Sequence, residues 1–328
     1  MAEIQIIDPG ILSIVEDLGR YGYQRYGVSV SGVMDEYGAR MANFLVRNNS
    51  GAALIECSLK CPTIEFFDDV VFAVTGAECA VFLNDKPIVL WESYIAQRGD
   101  RLVGDFCYEG MRNYIAFAGG IDVDIIMNSR STNVRGKFGG FMGRQLAEGD
   151  ILKVKDSNAV NMPLRAIKQA YIPKYLRNLT LNVIMGPQDD YFTQEGIESF
   201  LNTPYTLSHV SDRMGIRLEG KPIEHIKGAD IISDGIPIGA IQVPGEGLPI
   251  IMMNDRQTTG GYAKIASVIT PDLWRLAQAP TGSTIYFKSV SAEESVKYFK
   301  DYRDFFKSLE EAFFSKEIGG GGDIRWYL

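Results

Sequence analysis

A chain of 328 residues is long enough for two domains of ordinary size, and an apolar fraction of 46% with 34 glycines and 13 prolines marks it as globular and turn-rich rather than disordered. A formal charge of −8, with no Lys/Arg cluster longer than two residues, argues against a nucleic-acid or anionic-membrane surface, either of which needs a basic stripe. The N-terminus lacks a signal-peptide pattern and no run approaches the roughly 20 apolar residues of a membrane helix, so a cytoplasmic protein is expected.

In chain order, residues 4–7 read as a strand and Asp8-Pro9-Gly10 as a turn, followed by a compact polar turn that holds Asp17, Arg20, Gly19 and Gly22. Asp35 suits a helix N-cap, with Ala39, Ala42, Leu45 and Val46 at helical spacing behind it. Between Ala53 and Lys155 short apolar or alternating runs recur at 53–55, 70–74, 80–83, 88–90, 114–117 and 151–154, separated by Gly-Asp or Asn-Asp turns. That rhythm predicts a barrel or sandwich, and the lack of a βαβ pattern disfavours a doubly wound sheet.

The four cysteines, Cys57, Cys61, Cys79 and Cys107, have neither zinc spacing nor a thioredoxin-like motif and read as buried thiols. With only His209 and His225 in the chain, His-based metal sites and Ser-His-Asp triads have few possible members. Ser129-Arg130-Ser131-Thr132 can grip a carboxylate or phosphate through charge-assisted hydrogen bonds. It can equally brace its own loop, the reading the pattern favours. The glycine loop at 136–143 lacks the Lys-Ser/Thr ending of a P-loop.

Residues 156–178 lose the strand rhythm and form a connector, after which strand 179–185, Gly186-Pro187-Gln188 and a helix at 192–201 open the second half. Asp212 and Arg213 beside Gly215 repeat the polar turn around Asp17. Runs 241–243 and 250–253 read as two buried strands, the second of which ends in Asn254-Asp255-Arg256-Gln257-Thr258-Thr259-Gly260-Gly261. This loop suits an anion or a planar amide, because glycines let backbone N–H groups approach a ligand; a solvated hairpin with an Asp-Arg pair fits the same residues. Thr270 as N-cap and Pro271 start a helix over 272–278, and Ser291 with Glu294 forms a capping box for a long amphipathic helix through Val296, Phe299, Phe306 and Leu309. The Gly319 to Gly322 run releases a tail with Trp326 and Tyr327, either a partner contact or a disordered end.

Asp17-Leu-Gly-Arg20-Tyr-Gly22, Ser31-Gly-Val-Met-Asp35, Ala42-Asn43, Ala118-Gly-Gly-Ile-Asp122, Ser129-Arg-Ser-Thr132, Gly186-Pro-Gln188, Ser211-Asp-Arg-Met-Gly215, Gly239-Ala-Ile-Gln-Val-Pro244 and Asp255-Arg-Gln-Thr-Thr-Gly-Gly-Tyr262 stand in this order. The series resembles that of the biotin-dependent carboxyltransferase-like family, also called allophanate hydrolase subunit 2 or KipA-like, which includes the C component of bacterial 5-oxoprolinase. Two positions depart from it: Ala263 where Pro is common and Cys61 where Gly is common.

The resemblance implies a mainly β chain with a few helices, built as two tandem cyclophilin-like β-barrel domains at 1–155 and 179–290, with the connector at 156–178 and a helix and Gly-rich aromatic tail at 291–328. It implies work in a hetero-oligomer with a subunit 1/KipI-like protein and a third, LamB/YcsF-like subunit, opening 5-oxo-L-proline to glutamate with ATP consumed by the complex. No ATP motif and no covalent biotin are expected on this chain. Two alternatives remain open: carboxyl transfer from carboxybiotin to urea or a related amide, and a non-catalytic regulator that antagonises a kinase-inhibitor partner. On residue type, Asp255 and Arg256 are the expected catalytic pair. Gln257, Thr258, Thr259, Asp17, Arg20, Arg130, Asp212 and Arg213 are expected to bind substrate, a planar amide that needs an acceptor for its N–H and a donor for its carbonyl.

Overall fold

The computed structural model describes residues 1–155 and 159–315. The chain divides into two compact units, one made of Met1–Arg20, Ser31–Tyr175 and the end of the last helix from Phe305, the other of Tyr21–Val30 and Leu176–Asp304. This division differs in three places from one drawn along the sequence: residues 21–30 go with the second unit, the described connector goes with the first through Tyr175, and the last helix is shared between both.

The chain is mainly β, as its short apolar runs predict. In the first unit Ala2–Asp8 alternates, with Ile4 and Ile6 buried, and pairs antiparallel with Thr63–Phe66 on one side and Ile151–Val154 on the other. The sheet continues through Arg101–Phe117 and Leu54–Ser58 to an edge at Leu12–Glu16, while Val70–Leu83 lies along Arg101–Phe117 and carries Ser93–Ala96. Phe66, Phe72 and Phe117 meet beneath it at centroid distances of 5.3 and 6.4 Å. This nine-stranded sheet stays open as a half-barrel. Its edge strand Leu12–Glu16 is covered by the loop that follows Ser129, through Thr132 N to Val15 O at 3.0 Å and Leu146 N to Ser13 O at 2.8 Å. Loop cover is one way in which a β edge is kept from pairing with another chain.

Runs 70–74 and 80–83 belong to one strand, Val70–Leu83, because bulges between Gly76 and Val81 interrupt the alternation without ending the pairing. Helix α1, Glu36–Leu45, is capped as its sequence predicts, the Asp35 carboxylate accepting from Gly38 N at 2.9 Å.

The second unit is a closed barrel. Its order is Asn178–Met185, Lys264–Val268, Ala240–Gln242, Ile250–Met252, Gly215–Glu219, Tyr205–Leu207 and Thr284–Ser289, the last returning to the first as its only parallel neighbour. Helix α2, Gln194–Asn202, lays Phe200 over Phe287 at 4.4 Å, and helix α3, Thr270–Ala277, buries Leu273 and Leu276. Thr270 is the first residue of α3 rather than its cap: Ile269 holds that place in extended geometry, with Pro in the first turn. A two-stranded ribbon, Asp230–Gly235 with Thr259–Tyr262, forms a separate sheet beside the barrel.

Helix α4, Ala292–Ser315, starts with the reciprocal capping box, Ser291 N to Glu294 Oε2 at 2.8 Å and Glu294 N to Ser291 Oγ at 3.1 Å. Its far turns pack in the first unit, where Phe305 and Phe306 lie 6.0 and 5.9 Å from the Tyr37 ring. The tail with Trp326 and Tyr327 lies outside the described residues. No described helix is long and apolar enough to cross a membrane.

Candidate active site

The loop after Ile250–Met252 is fixed to its neighbour by backbone, Met253 N to Met214 O and Asp255 N to Arg213 O, each at 2.9 Å. That register brings the Asp255 carboxylate onto the buried Arg213 guanidinium, Nε to Oδ2 at 2.9 Å and Nη2 to Oδ1 at 3.4 Å. Such a two-point contact is the strong form of an Arg-carboxylate pair. Arg256 turns inward: Nε donates to Ile236 O at 2.8 Å and Nη1 to Met253 O at 3.1 Å. Burial pushes its pKa down to about 10, which still leaves it charged at neutral pH. Asp212 accepts from Met214 N and Gly215 N within its own turn.

The expected residues of the first unit are engaged in the same way. Asp17 accepts from Gly19 N, the hydroxyls of Ser129 and Ser131, and Arg130 N. Fully buried Arg20 donates to Ile126 O at 2.9 Å and Ser131 O at 2.8 Å and lies 4.8 Å over the Phe138 ring. Arg130 Nε donates to Val123 O at 3.1 Å. These groups lock the loop around Ser129, in line with the bracing reading of that motif.

Open chemistry lies beside the ribbon. Gln257 and Thr259 are exposed and Thr258 is half-buried, its carbonyl accepting from Ile236 N at 2.9 Å. Immediately beyond the ribbon, the first residue of a barrel strand is Lys264, only 1% exposed, whose ammonium donates to Asp234 Oδ2 at 3.0 Å. The Asp234 side chain is 54% exposed, and the Lys264 hydrogen bond holds its carboxyl below the usual carboxylate range. Gln188 ties the two together: its Oε1 accepts from Lys264 N at 3.1 Å and its Nε2 lies 3.5 Å from Asp234 Oδ2. Buried Gln242 reaches Tyr262 O at 3.4 Å, and a Cβ at Gly260 would stand 2.8 Å from the Gln242 amide nitrogen, so a larger residue there would push the Gln242 side chain aside.

An ammonium has three N–H donors, and Asp234 takes one; no second partner of Lys264 is present among the described residues. A buried cation whose counter-ion faces solvent can polarise a carbonyl or hold a carboxylate, and Asp234 can accept an N–H. Reasoning on residue type missed Lys264 and Asp234. The available signal was a lone charge inside the apolar run Ala263-Lys264-Ile265-Ala266.

A family model described as carboxyltransferase domain, subdomain A and B, matches residues 26–289. The chain belongs to this family. Among curated relatives it is 38% identical to the C component of 5-oxoprolinase from Escherichia coli, over 93% of this chain and 97% of that one, and 36% identical to the corresponding 5-oxoprolinase component of Haemophilus influenzae, over 90% and 93%. Among solved structures, the Kluyveromyces lactis urea amidolyase superposes with a TM-score of 0.87 at 30% identity, over 95% of this chain and 20% of that one. The K. lactis urea carboxylase gives 0.86 at 30% identity, over 95% and 29%.

Proposed function

We propose that this chain is a subunit of an ATP-dependent 5-oxoprolinase and presents the cyclic amide to the rest of the complex at the mouth formed by Lys264, Asp234, Gln188 and the ribbon. The observation that carries the reading is the buried Lys264 ammonium with its solvent-facing counter-ion. Likeness to two 5-oxoprolinase components over nearly their whole length supports it. A lactam offers one C=O and one adjacent N–H. Lys264 Nζ donates to the carbonyl oxygen, where negative charge grows as the carbon is attacked, and Asp234 accepts the N–H. Asp255 and Arg256 act one step back: through Arg213 and Ile236 they hold the loop that offers Gln257, Thr258 and Thr259. ATP is consumed by the complex, at a site in or shared with a subunit 1/KipI-like partner or a LamB/YcsF-like third subunit. No covalent biotin is carried here.

A second reading, carboxyl transfer to urea or a related amide, draws on the match to urea amidolyase and urea carboxylase and uses the same mouth, since urea too is a planar amide. Reconstitution separates them. This chain with its two partner subunits is expected to release glutamate from 5-oxo-L-proline only when ATP is present, and the chain alone is expected to do nothing. Turnover by the chain alone, or carboxylation of urea once a biotin carrier is added, overturns the first reading.

A further inference from the structure

All four cysteines of the chain meet in one place in the first unit, whereas the proposed amide site belongs to the second. Cys57 lies on Leu54–Ser58, Cys79 on Val70–Leu83 and Cys107 on Arg101–Phe117, and Cys61 follows close behind Cys57. Three of the thiols donate to one residue, Asn113, the Cys57 thiol to its backbone carbonyl at 3.5 Å. Cys79 and Cys107 share one acceptor, Oδ1 of the buried Asn113, at 3.5 and 3.1 Å. Gly104 makes room for the inner end, where a Cβ would stand 2.5 Å from that of Cys61. Among the described residues no group of three or more His, Cys, Asp or Glu is arranged to hold a metal ion. Thiols gathered in this way instead favour chemistry between two sulfurs.

One pair is set for it. Cys79 and Cys107 are register partners across antiparallel strands, with a bulge on either side of Cys79. Cys107 N donates away from that partner, to Leu59 O at 2.8 Å, so toward Cys79 the position is a non-hydrogen-bonded one. Such pairs have Cα atoms about 4.5 Å apart, inside the window of about 4.4 to 6.8 Å that a disulfide spans. Cys107 is also the one cysteine that is not buried, between exposed Phe106 and Tyr108.

We propose that Cys79 and Cys107 are a reversible oxidation site that closes to a disulfide when a peroxide reaches Cys107. The Cys107 thiolate attacks one peroxide oxygen, the O–O bond breaks, and the departing hydroxide takes up a proton as water, leaving a sulfenic acid. The Cys79 sulfur then displaces the hydroxyl, the S–O bond breaks, a second water leaves with the Cys79 proton, and the S–S bond forms. Two thiols lose two electrons and one hydrogen peroxide becomes two waters. Hydrogen bonding to Cys79 and burial both raise the Cys107 thiol above its ordinary value, so closure is slow at neutral pH and quickens as pH rises. The same basicity makes each thiolate a poor leaving group, so the bond, once formed, is slow to exchange.

The test exposes the full chain to hydrogen peroxide at neutral and alkaline pH, then counts thiols and maps peptides. Loss of two of the four thiols is expected, as one Cys79–Cys107 cross-link, faster at alkaline pH and recovered with a dithiol reductant. Cys57→Ser should behave in the same way, and Cys107→Ser should keep all its remaining thiols under the same exposure. Four intact thiols in the unaltered chain after exposure, a sulfinic acid on Cys107 without a cross-link, or a bond that maps to Cys57 and Cys61 would each overturn the proposal.

Discussion

The two charged pairs of the second unit differ in one respect that decides what each can do. Arg213 and Asp255 are both largely buried, at 7% and 15% side-chain exposure, and each fills the other's hydrogen-bonding capacity on the facing side. Lys264 is as deeply buried, but Asp234 stands more than half in solvent and takes one of three donors. The first pair is matched between two loops, cation to carboxylate, with both partners largely buried. The second leaves a buried cation that still needs partners, in a setting where hydrogen bonds to charged groups are strong.

The largest effect expected from this contrast is on stability. Arg213→Met leaves Asp255 partly buried without its cation and should destabilise the chain by about 3 to 5 kcal/mol, read from chemical denaturation. Activity of Asp255→Asn in the reconstituted complex should fall only in step with the unfolded fraction. A fully folded Asp255→Asn without activity would erase the contrast. Lys264→Met should do the opposite, lowering kcat/KM by about a hundredfold with a melting curve close to that of the unaltered chain. Thr258→Val, at the rim of the mouth, should weaken substrate binding by about 0.5 to 1.5 kcal/mol, the worth of one hydrogen bond, in a calorimetric titration.

The smallest effect is one of pH. Lys264 depresses the Asp234 carboxyl, so the pair's contribution is complete above the ordinary carboxylate value, about 3.9, and fades as pH falls through the lower folded value. Carboxyl carbon NMR should place the Asp234 midpoint below that ordinary value and show it rising in Lys264→Met. An unchanged midpoint would mean that the ammonium and carboxylate do not interact in solution.

Fold class was legible because short apolar runs with Gly-Asp turns leave few architectures. That the first sheet stays open was not legible, since its edge is covered through backbone groups of Thr132 and Leu146, which leave no side-chain pattern. Residue type located the polar loop at Asp255 but not its availability. Whether a guanidinium faces a ligand or the Ile236 carbonyl depends on burial, which comes from strands far away in sequence. Lys264 was hidden for the converse reason: an apolar run around one charge reads as a strand, and its significance arises only when Asp234, thirty residues earlier, is brought alongside.

The division of α4 bears on the order in which the first unit is made. Phe306 and Leu309, 4% and 2% exposed, complete the first unit beside Tyr37, whose own neighbour is Trp91. A ribosome delivers those two residues after every strand of the first unit and after the whole closed barrel. The half-barrel is therefore finished by residues that follow the whole closed barrel in the sequence, and a chain shortened before Phe305 would leave the Tyr37 ring without Phe305 and Phe306 against it.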